Sequence, residues 1–185
     1  LLVDGTTSGI LARQELGSML PVIALSGIDQ LRKGSRVLDV CACPGWKTLQ
    51  ALEIVGKKGR IVANDVHPLR LDTLKEAVGR SGVSSRLTDR IRYVNYDATK
   101  FPTPKSGRLF DCIIADVPCS GDGTIRKDPH ILPSWMPSIS NSLHVVQLNI
   151  LKRALKLVKV GGVVSFSTCS MNPIEDEAVV AAALK

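Results

Sequence analysis

Five times along this chain a short apolar run rich in β-branched residues gives way to a polar turn or a stretch with helical spacing. The runs fall at residues 36–42, 60–65, 91–95, 110–116 and 163–167. After the first, Pro44-Gly45 breaks the strand, and a helix carries Thr48, Leu49, Ala51, Leu52 and Ile54. After the second, Leu71, Leu74, Ala77 and Val78 repeat at helical intervals between Leu69 and Arg80. A Pro-rich loop (Pro102, Pro104, Gly107) leads into the fourth run, and a long loop from Pro118 to Pro137 leaves it. A helix over 142–158 turns Leu143, Val146, Ile150, Leu151, Leu155 and Val158 to one side, and Gly161-Gly162 ends it. A last helix starts at Glu175, N-capped near Asn172 and Pro173.

Strands this short and this apolar cannot keep a solvated face, so helices must cover both sides. The pattern predicts an α/β fold with a doubly wound, mostly parallel sheet. Such sheets bind ligands beyond the carboxyl ends of their strands, where strand order reverses. The polar and reactive residues concentrate at those ends: 39–45, Asp65, Asp97, 116–119 and 167–170.

The first of these loops, Cys41-Ala42-Cys43-Pro44-Gly45-Trp46-Lys47, has neither the Walker A spacing nor the three-glycine dinucleotide fingerprint. Its small residues still let a ligand approach the backbone. Asp65, ending the second strand, suits the hydroxyls of a ribose, and Asp97, ending the third, suits an adenine amino group. A lone strand-end cysteine is usually a packing residue. Here Cys119 and Cys169 end the fourth and fifth strands, which this fold makes neighbours, with Asp116 close by. The two would face one pocket, one acting as nucleophile and the other handling a proton.

Composition narrows the classes. The 185 residues suffice for one domain with a substantial core, and no repeat or linker divides them, so residues 1–185 read as a single domain. A net charge of +7 fits a polyanionic partner, though a basic surface alone is weak evidence for one. Five cysteines, an odd number without a signal peptide, argue against a disulfide framework. Cys41 and Cys43 lack zinc-knuckle spacing, and His67, His130 and His144 form no cluster, so no metal is expected. No apolar run is long enough to span a bilayer. The opening Leu1-Leu2-Val3 has no methionine and no basic targeting region, as expected of a cut fragment.

The residues quoted above sit in segments that resemble the Sun-domain family of RNA cytosine-5 methyltransferases, most closely its tRNA-modifying branch. The segments are Arg13-Gln14-Glu15 with Ser18-Met19-Leu20-Pro21, Leu38 to Thr48, Ala63-Asn64-Asp65, Asp97-Ala98, Asp116 to Thr124, and Ser167 to Glu177. Each is weak alone; Pro118-Cys119 and Thr168-Cys169 together are specific. The resemblance implies a Rossmann-like class I methyltransferase core, truncated at both ends. By the same resemblance, the final strands of the complete sheet and the family's separate RNA-recognition segments are expected to lie outside these residues. It implies S-adenosylmethionine as cofactor, resting on Cys41, Ala42, Cys43, Pro44, Gly45, Trp46, Lys47, Asp65, Asp97 and Asp116. It also implies RNA, above all tRNA, as partner, and an intracellular, nuclear setting. Cys43 and Trp46 stand where the family usually has Ala and Gly or Ser, so the methionine end of the pocket is expected to differ in shape.

Carbon 5 of cytosine is a poor nucleophile. A thiolate added at carbon 6 turns the ring into an enamine, which takes a methyl from a sulfonium; loss of the carbon-5 proton then expels the thiol. By resemblance Cys169 is the nucleophile and Cys119 assists the elimination. Asp116 would bond the cytosine edge, and Lys47 would lower a thiol pKa. The target base must leave its stack. Arg126 and Lys127 would hold phosphates beside it, with Arg13 and Gln14 as further candidates. A DNA cytosine-5 enzyme would use the Pro-Cys cysteine and carry a Glu-Asn-Val segment, absent here. An exocyclic-amine enzyme would end its fourth strand in Asn/Asp-Pro-Pro-aromatic, where this chain has Asp116-Val117-Pro118-Cys119. An inactive binding module is the rival from another class.

Overall fold

The computed structural model describes Gly5 and residues 14–185; Arg13 and Leu1-Leu2-Val3 lie outside the described residues. Strands β1 (Arg36–Asp39), β2 (Arg60–Asn64), β3 (Ile91–Val94), β4 (Phe110–Asp116) and β5 (Val158–Ser167) form one sheet in the order β3-β2-β1-β4-β5. Every pairing is parallel. The helices are α1 (Leu16–Gly27), α2 (Trp46–Val55), α3 (Pro68–Arg80), α4 (Ser85–Thr88), α5 (Ile131–Ser134), α6 (Pro137–Leu157) and α7 (Glu177–Ala183). None of the described helices is long and apolar enough to cross a membrane.

Successive strand residues point to opposite faces, and on the central strands β1 and β4 both faces are buried. Val37 joins the core formed with α1, α2 and α3 through Val22, Leu25, Leu52 and Leu74. Its neighbour Leu38 joins the opposite core, with Ile150, Ala154 and Leu157 of α6 and with Phe101 and Phe110. On β4, Ile114 belongs to the first core and Ile113 to the second. This is the doubly wound sheet that the apolar runs predict. Strand order reverses at β1, which pairs with β2 on one side and β4 on the other.

Several boundaries differ from the sequence reading. Helix α6 begins at Pro137, whose fixed φ suits a first turn. Its inward stripe is Ser140, Gln147, Ile150, Leu151, Ala154 and Leu157, whereas Val146 and Leu155 are exposed. Two inward polar residues rotate the stripe away from the one the apolar pattern marks. The helix stops at Leu157, and Gly161-Gly162 lies inside β5, where register shifts between Phe110 and Cys112. Gly162 belongs there because a side chain would press on the Asp111 carbonyl. Helix α7 begins two residues later than Glu175. Helix α1 escapes the pattern altogether: it contains Pro21, and its Leu16, Leu20 and Ile23 are exposed.

Buried Asn64 ties the strand ends together. Its amide donates to the carbonyls of Val40 and Tyr96, each at 2.9 Å, and its carbonyl accepts from Tyr96 N–H at 2.9 Å. The exits from β1, β2 and β3 are thereby fixed relative to one another.

Candidate active site

Asp116 and Ser167 are register partners at the ends of β4 and β5. The chains leaving those ends run side by side, which brings together two cysteines 50 residues apart in sequence. The Cys119 and Cys169 sulfurs are 2.9 Å apart, and Cys169 N–H donates to Cys119 Sγ at 3.2 Å. Both are free thiols. One shared proton separates their chemistry. Accepting from the Cys119 thiol lowers Cys169 to about 7, against the effect of its burial. Donating that proton, together with burial, pushes Cys119 well above the ordinary thiol range. The close approach needs Gly123: its N–H donates to the Cys169 carbonyl at 3.0 Å, and a Cβ there would come within 2.7 Å of that oxygen.

The two loops are laced by residues that the sequence reading did not single out as site residues. Glu175, fully buried, accepts from Ser120 N–H and Gln147 Nε2 at 2.9 Å each, and from Ser170 Oγ at 3.2 Å. Burial alone would push its carboxyl up, but the donors from Ser120 and Gln147 hold it below its ordinary value. Gln147 also donates to the Pro118 carbonyl at 2.9 Å. Asp122 Oδ1 accepts from Ser120 Oγ and from Met171 N–H. One carboxylate thus binds the loop of each cysteine. Glu175→Ala strands three donors, that of Gln147 fully buried, and is expected to cost about 3 kcal/mol. Urea unfolding of the intact natural protein measures this, with Glu175→Gln expected to lose less than half as much.

Behind the sulfurs, Lys47 Nζ ion-pairs with Asp116 Oδ2 at 2.7 Å and donates to Ser18 Oγ at 3.1 Å. Ser167 Oγ donates to Asp116 Oδ1 at 2.6 Å. Asp116 adds a repulsive influence on a Cys169 thiolate. The downward shift of Cys169 therefore comes from Cys119, and Lys47 serves as the counter-ion of Asp116.

A cleft of about 680 Å³ opens at this end of the sheet, lined by Cys41, Asp65, Asp97, Asp116, Cys119 and Cys169 among others. That volume falls within the range of small-molecule sites (roughly 300–1,000 Å³). Asp65 is almost fully buried; its oxygens accept His67 N–H at 3.0 Å and pair with Arg70 Nε at 3.3 Å. Arg70 also donates to the Cys43 carbonyl at 3.2 Å, spanning from the β2 end to the first loop. Asp97 is exposed and held below its ordinary value by the Thr99 hydroxyl and amide. Cys41 is pushed up by burial and by Asp39, Asp65 and Asp116, so its thiol is inert.

Ala42, Pro44, Gly45, Trp46 and Lys47 are not among the residues lining the cleft. Ala42 is buried in the first core. Pro44 follows a cis peptide bond, and Gly45, at φ 112°, packs so close to Leu74 that a side chain would collide with it. Trp46 turns away from the cleft and packs beside Met19, Leu49 and Val83. Gln14 bonds Gln50 at 3.2 Å, Lys127 ion-pairs with Glu15, and Arg126 is exposed. Among the described residues no group of three metal-ligating side chains gathers.

The donor set fits S-adenosylmethionine. Asp65 and Asp97 offer carboxylates at the ends of adjacent strands to hydroxyl and amino groups. Beneath the first loop, Asp39 Oδ1 is buried with no hydrogen-bond partner among the described residues, while Oδ2 accepts from Thr48 Oγ1 at 2.6 Å. Burial raises the Asp39 carboxyl to about 7.

Comparison with known proteins agrees with this geometry. A family profile described as 16S rRNA methyltransferase RsmB/F matches residues 28–185. The multisite-specific tRNA:(cytosine-C(5))-methyltransferase of Saccharomyces cerevisiae is 41% identical over 198 residues, covering 100% of this chain and 28% of that protein. The similarly described trm4b protein of Schizosaccharomyces pombe is 40% identical, covering 100% of this chain and 30% of its own length. The crystal structure of NSun6 from Pyrococcus horikoshii with SFG superposes with a TM-score of 0.83 at 26% identity, covering 98% of this chain and 44% of that one. The chain thus spans less than a third of the two curated relatives.

Proposed function

The chain belongs to the 16S rRNA methyltransferase RsmB/F family, and on that premise we propose that it is the catalytic core of an S-adenosylmethionine-dependent RNA cytosine-5 methyltransferase acting on tRNA. The observation that carries the reading is the pair of sulfurs 2.9 Å apart at the mouth of a cleft lined by strand-end carboxylates. The names of the two fungal relatives support tRNA as the substrate class.

Asp65, Asp97, Cys41 and Cys43, which line the cleft, would hold the cofactor, which supplies an electrophilic methyl group when bound. Cys169, as thiolate, adds to carbon 6 of a cytosine turned out of its stack, and the electron pair of the C5–C6 bond makes carbon 5 nucleophilic. Asp116, held by Lys47 and Ser167, faces the pyrimidine edge and favours protonation at N3 as the adduct forms. After methylation Cys119 assists removal of the carbon-5 proton. The C5–H electron pair restores the ring double bond, and the C6–S bond breaks to return the Cys169 thiolate.

The test is direct. The intact natural protein, incubated with S-adenosylmethionine and a pool of tRNA transcripts, is expected to produce 5-methylcytosine, identified by mass spectrometry of the digested nucleosides. Methylation confined to DNA, or to an exocyclic amine, overturns the assignment.

A further inference from the structure

The sheet edge opposite the two cysteines is strongly basic, and nothing in the proposed reaction uses it. Parallel strands all begin at one edge. Arg36 opens β1 and Arg60 opens β2, and the two are register partners. Arg90 and Arg92 flank the start of β3, and Arg108 precedes β4. These five arginines line a groove of about 600 Å³, in which Asp89 is the one acid among the described lining residues. Arg60, Arg90, Arg92 and Arg108 are exposed, and none of them forms an ion pair with a described carboxylate.

The connection from β3 to β4 contains a single 3-10 turn, Ala98–Lys100, and no α-helix. The adjoining face of β2 and β3 is consequently open. A second hollow of about 350 Å³ continues from the groove there, sharing Arg36, Val62 and Arg92 and adding Tyr96, Phe101 and Lys105. The Arg36 guanidinium lies 4.7 Å from the centre of the Phe110 ring. Its pKa is lowered, first by burial and next by the charge of Arg108, with Arg60 and Arg92 adding to this and Asp111 opposing. The positive field at this edge is thus dense enough to act on its own members.

We propose that this groove binds the phosphate backbone of RNA, at a segment distant from the methylated cytosine. The inference rests on the reading of the chain as an RNA enzyme and extends it to a second contact surface. Clustered like charges repel and lower stability unless a counter-charge relieves them. Arginine forks match phosphate oxygens in pairs, and the exposed Tyr96 ring beside them offers a face to a base or sugar. Strand β4 runs from Phe110 to Asp116, and at about 3.3 Å per residue the basic edge lies roughly 20 Å from the cysteines. A polyanion long enough to present a nucleotide at one edge and phosphates at the other gains at both, consistent with a net charge of +7 over the whole chain. An acidic protein segment would engage only the groove.

The test uses the intact natural protein, the neutralising variant R60Q/R92Q/R108Q and the charge-preserving variant R60K/R92K/R108K. These side chains are exposed, so folding is expected to survive, and melting temperature checks it. The probe is a full-length tRNA transcript, titrated across a salt series and methylated under steady-state conditions. The glutamine variant is expected to weaken tRNA binding by about 10- to 100-fold at near-physiological salt. It should also flatten the slope of log K against log salt by about 2 to 3. KM for tRNA should rise correspondingly, with kcat and S-adenosylmethionine affinity unchanged. The lysine variant should keep the parental salt slope. Unchanged tRNA affinity and slope overturn the proposal. So does a lowered melting temperature with tRNA affinity intact: relief of repulsion alone would raise it, and the loss assigns the groove to an acidic segment of the same protein. A parent that binds tRNA through the groove yet makes no 5-methylcytosine would instead sink the catalytic reading and leave this one standing.

Discussion

Cys169→Ala is expected to abolish 5-methylcytosine formation, with a loss on the order of 10⁴-fold or more, and to form no covalent RNA complex. Cys119→Ala is expected to lose turnover as well, but to accumulate protein covalently joined to RNA. Denaturing gels of labelled tRNA distinguish the two. The asymmetry follows from where the shared proton rests. With Cys119 as donor across the 2.9 Å contact, Cys169 is the more acidic sulfur and the one free to attack. Without Cys119 the attack still occurs, but elimination lacks its helper and the adduct persists. A second readout separates this account from a merely structural one. With Cys169 near 7, the rate of adduct formation should rise as pH passes through 7 and then level off. Cys119→Ala removes the donor that stabilises the thiolate, so the midpoint should climb toward the ordinary thiol value of about 8.5. An inert Cys119→Ala together with an adduct-forming Cys169→Ala would transfer the nucleophile's role to Cys119.

Lys47→Met is expected to lower kcat by about 100-fold while leaving S-adenosylmethionine affinity within a few-fold of the parent. The side chain is largely buried against Asp116, and no other described cation pairs with that carboxylate. Removing the ammonium leaves Asp116 with only the Ser167 hydroxyl. The uncompensated charge then opposes a thiolate on Cys169, an influence that Asp116 already exerts. The midpoint of adduct formation should therefore move to higher pH in Lys47→Met. Adding Asp116→Asn should move it back, although kcat stays low because the pyrimidine edge has lost its acceptor. The discriminating result is Lys47→Met made in an Asp116→Asn background: a lysine acting through Asp116 then shifts the midpoint little, whereas one acting directly on the thiol shifts it as much as in the parent. Rapid-quench measurement of adduct formation across pH 6–9 reads both variants.

Much of the architecture is legible in the sequence because parallel strands buried on both faces leave a continuous apolar trace. Val37-Leu38 and Ile113-Ile114 each feed two cores at once, and no other arrangement suits such pairs. The strand-end residues are legible for the same reason: once strands are placed, Asp65, Asp116, Cys119 and Cys169 must emerge at one edge. What escapes is whatever depends on packing between elements. Gln147 occupies an inward position on α6 that apolar spacing assigns to neighbouring residues, and only the fold reveals that it meets Glu175 and Pro118. Glu175 lies beyond the last strand, and its spacing to Ser120 carries no local signal. Trp46 belongs to the first loop in sequence, yet it opens α2 and sits beside Met19 of α1, a helix hidden by Pro21, and Val83.

The Glu175 clasp has a consequence for how the molecule comes apart. The carboxylate grips the loops of both cysteines, while its own chain continues directly into α7. Detachment of α7 and separation of the two sulfurs are thereby coupled in one opening event, less costly than global unfolding. The paired thiols and the helix that follows them rise and fall as a unit, so whatever steadies α7 also sets how much of the time the two sulfurs meet.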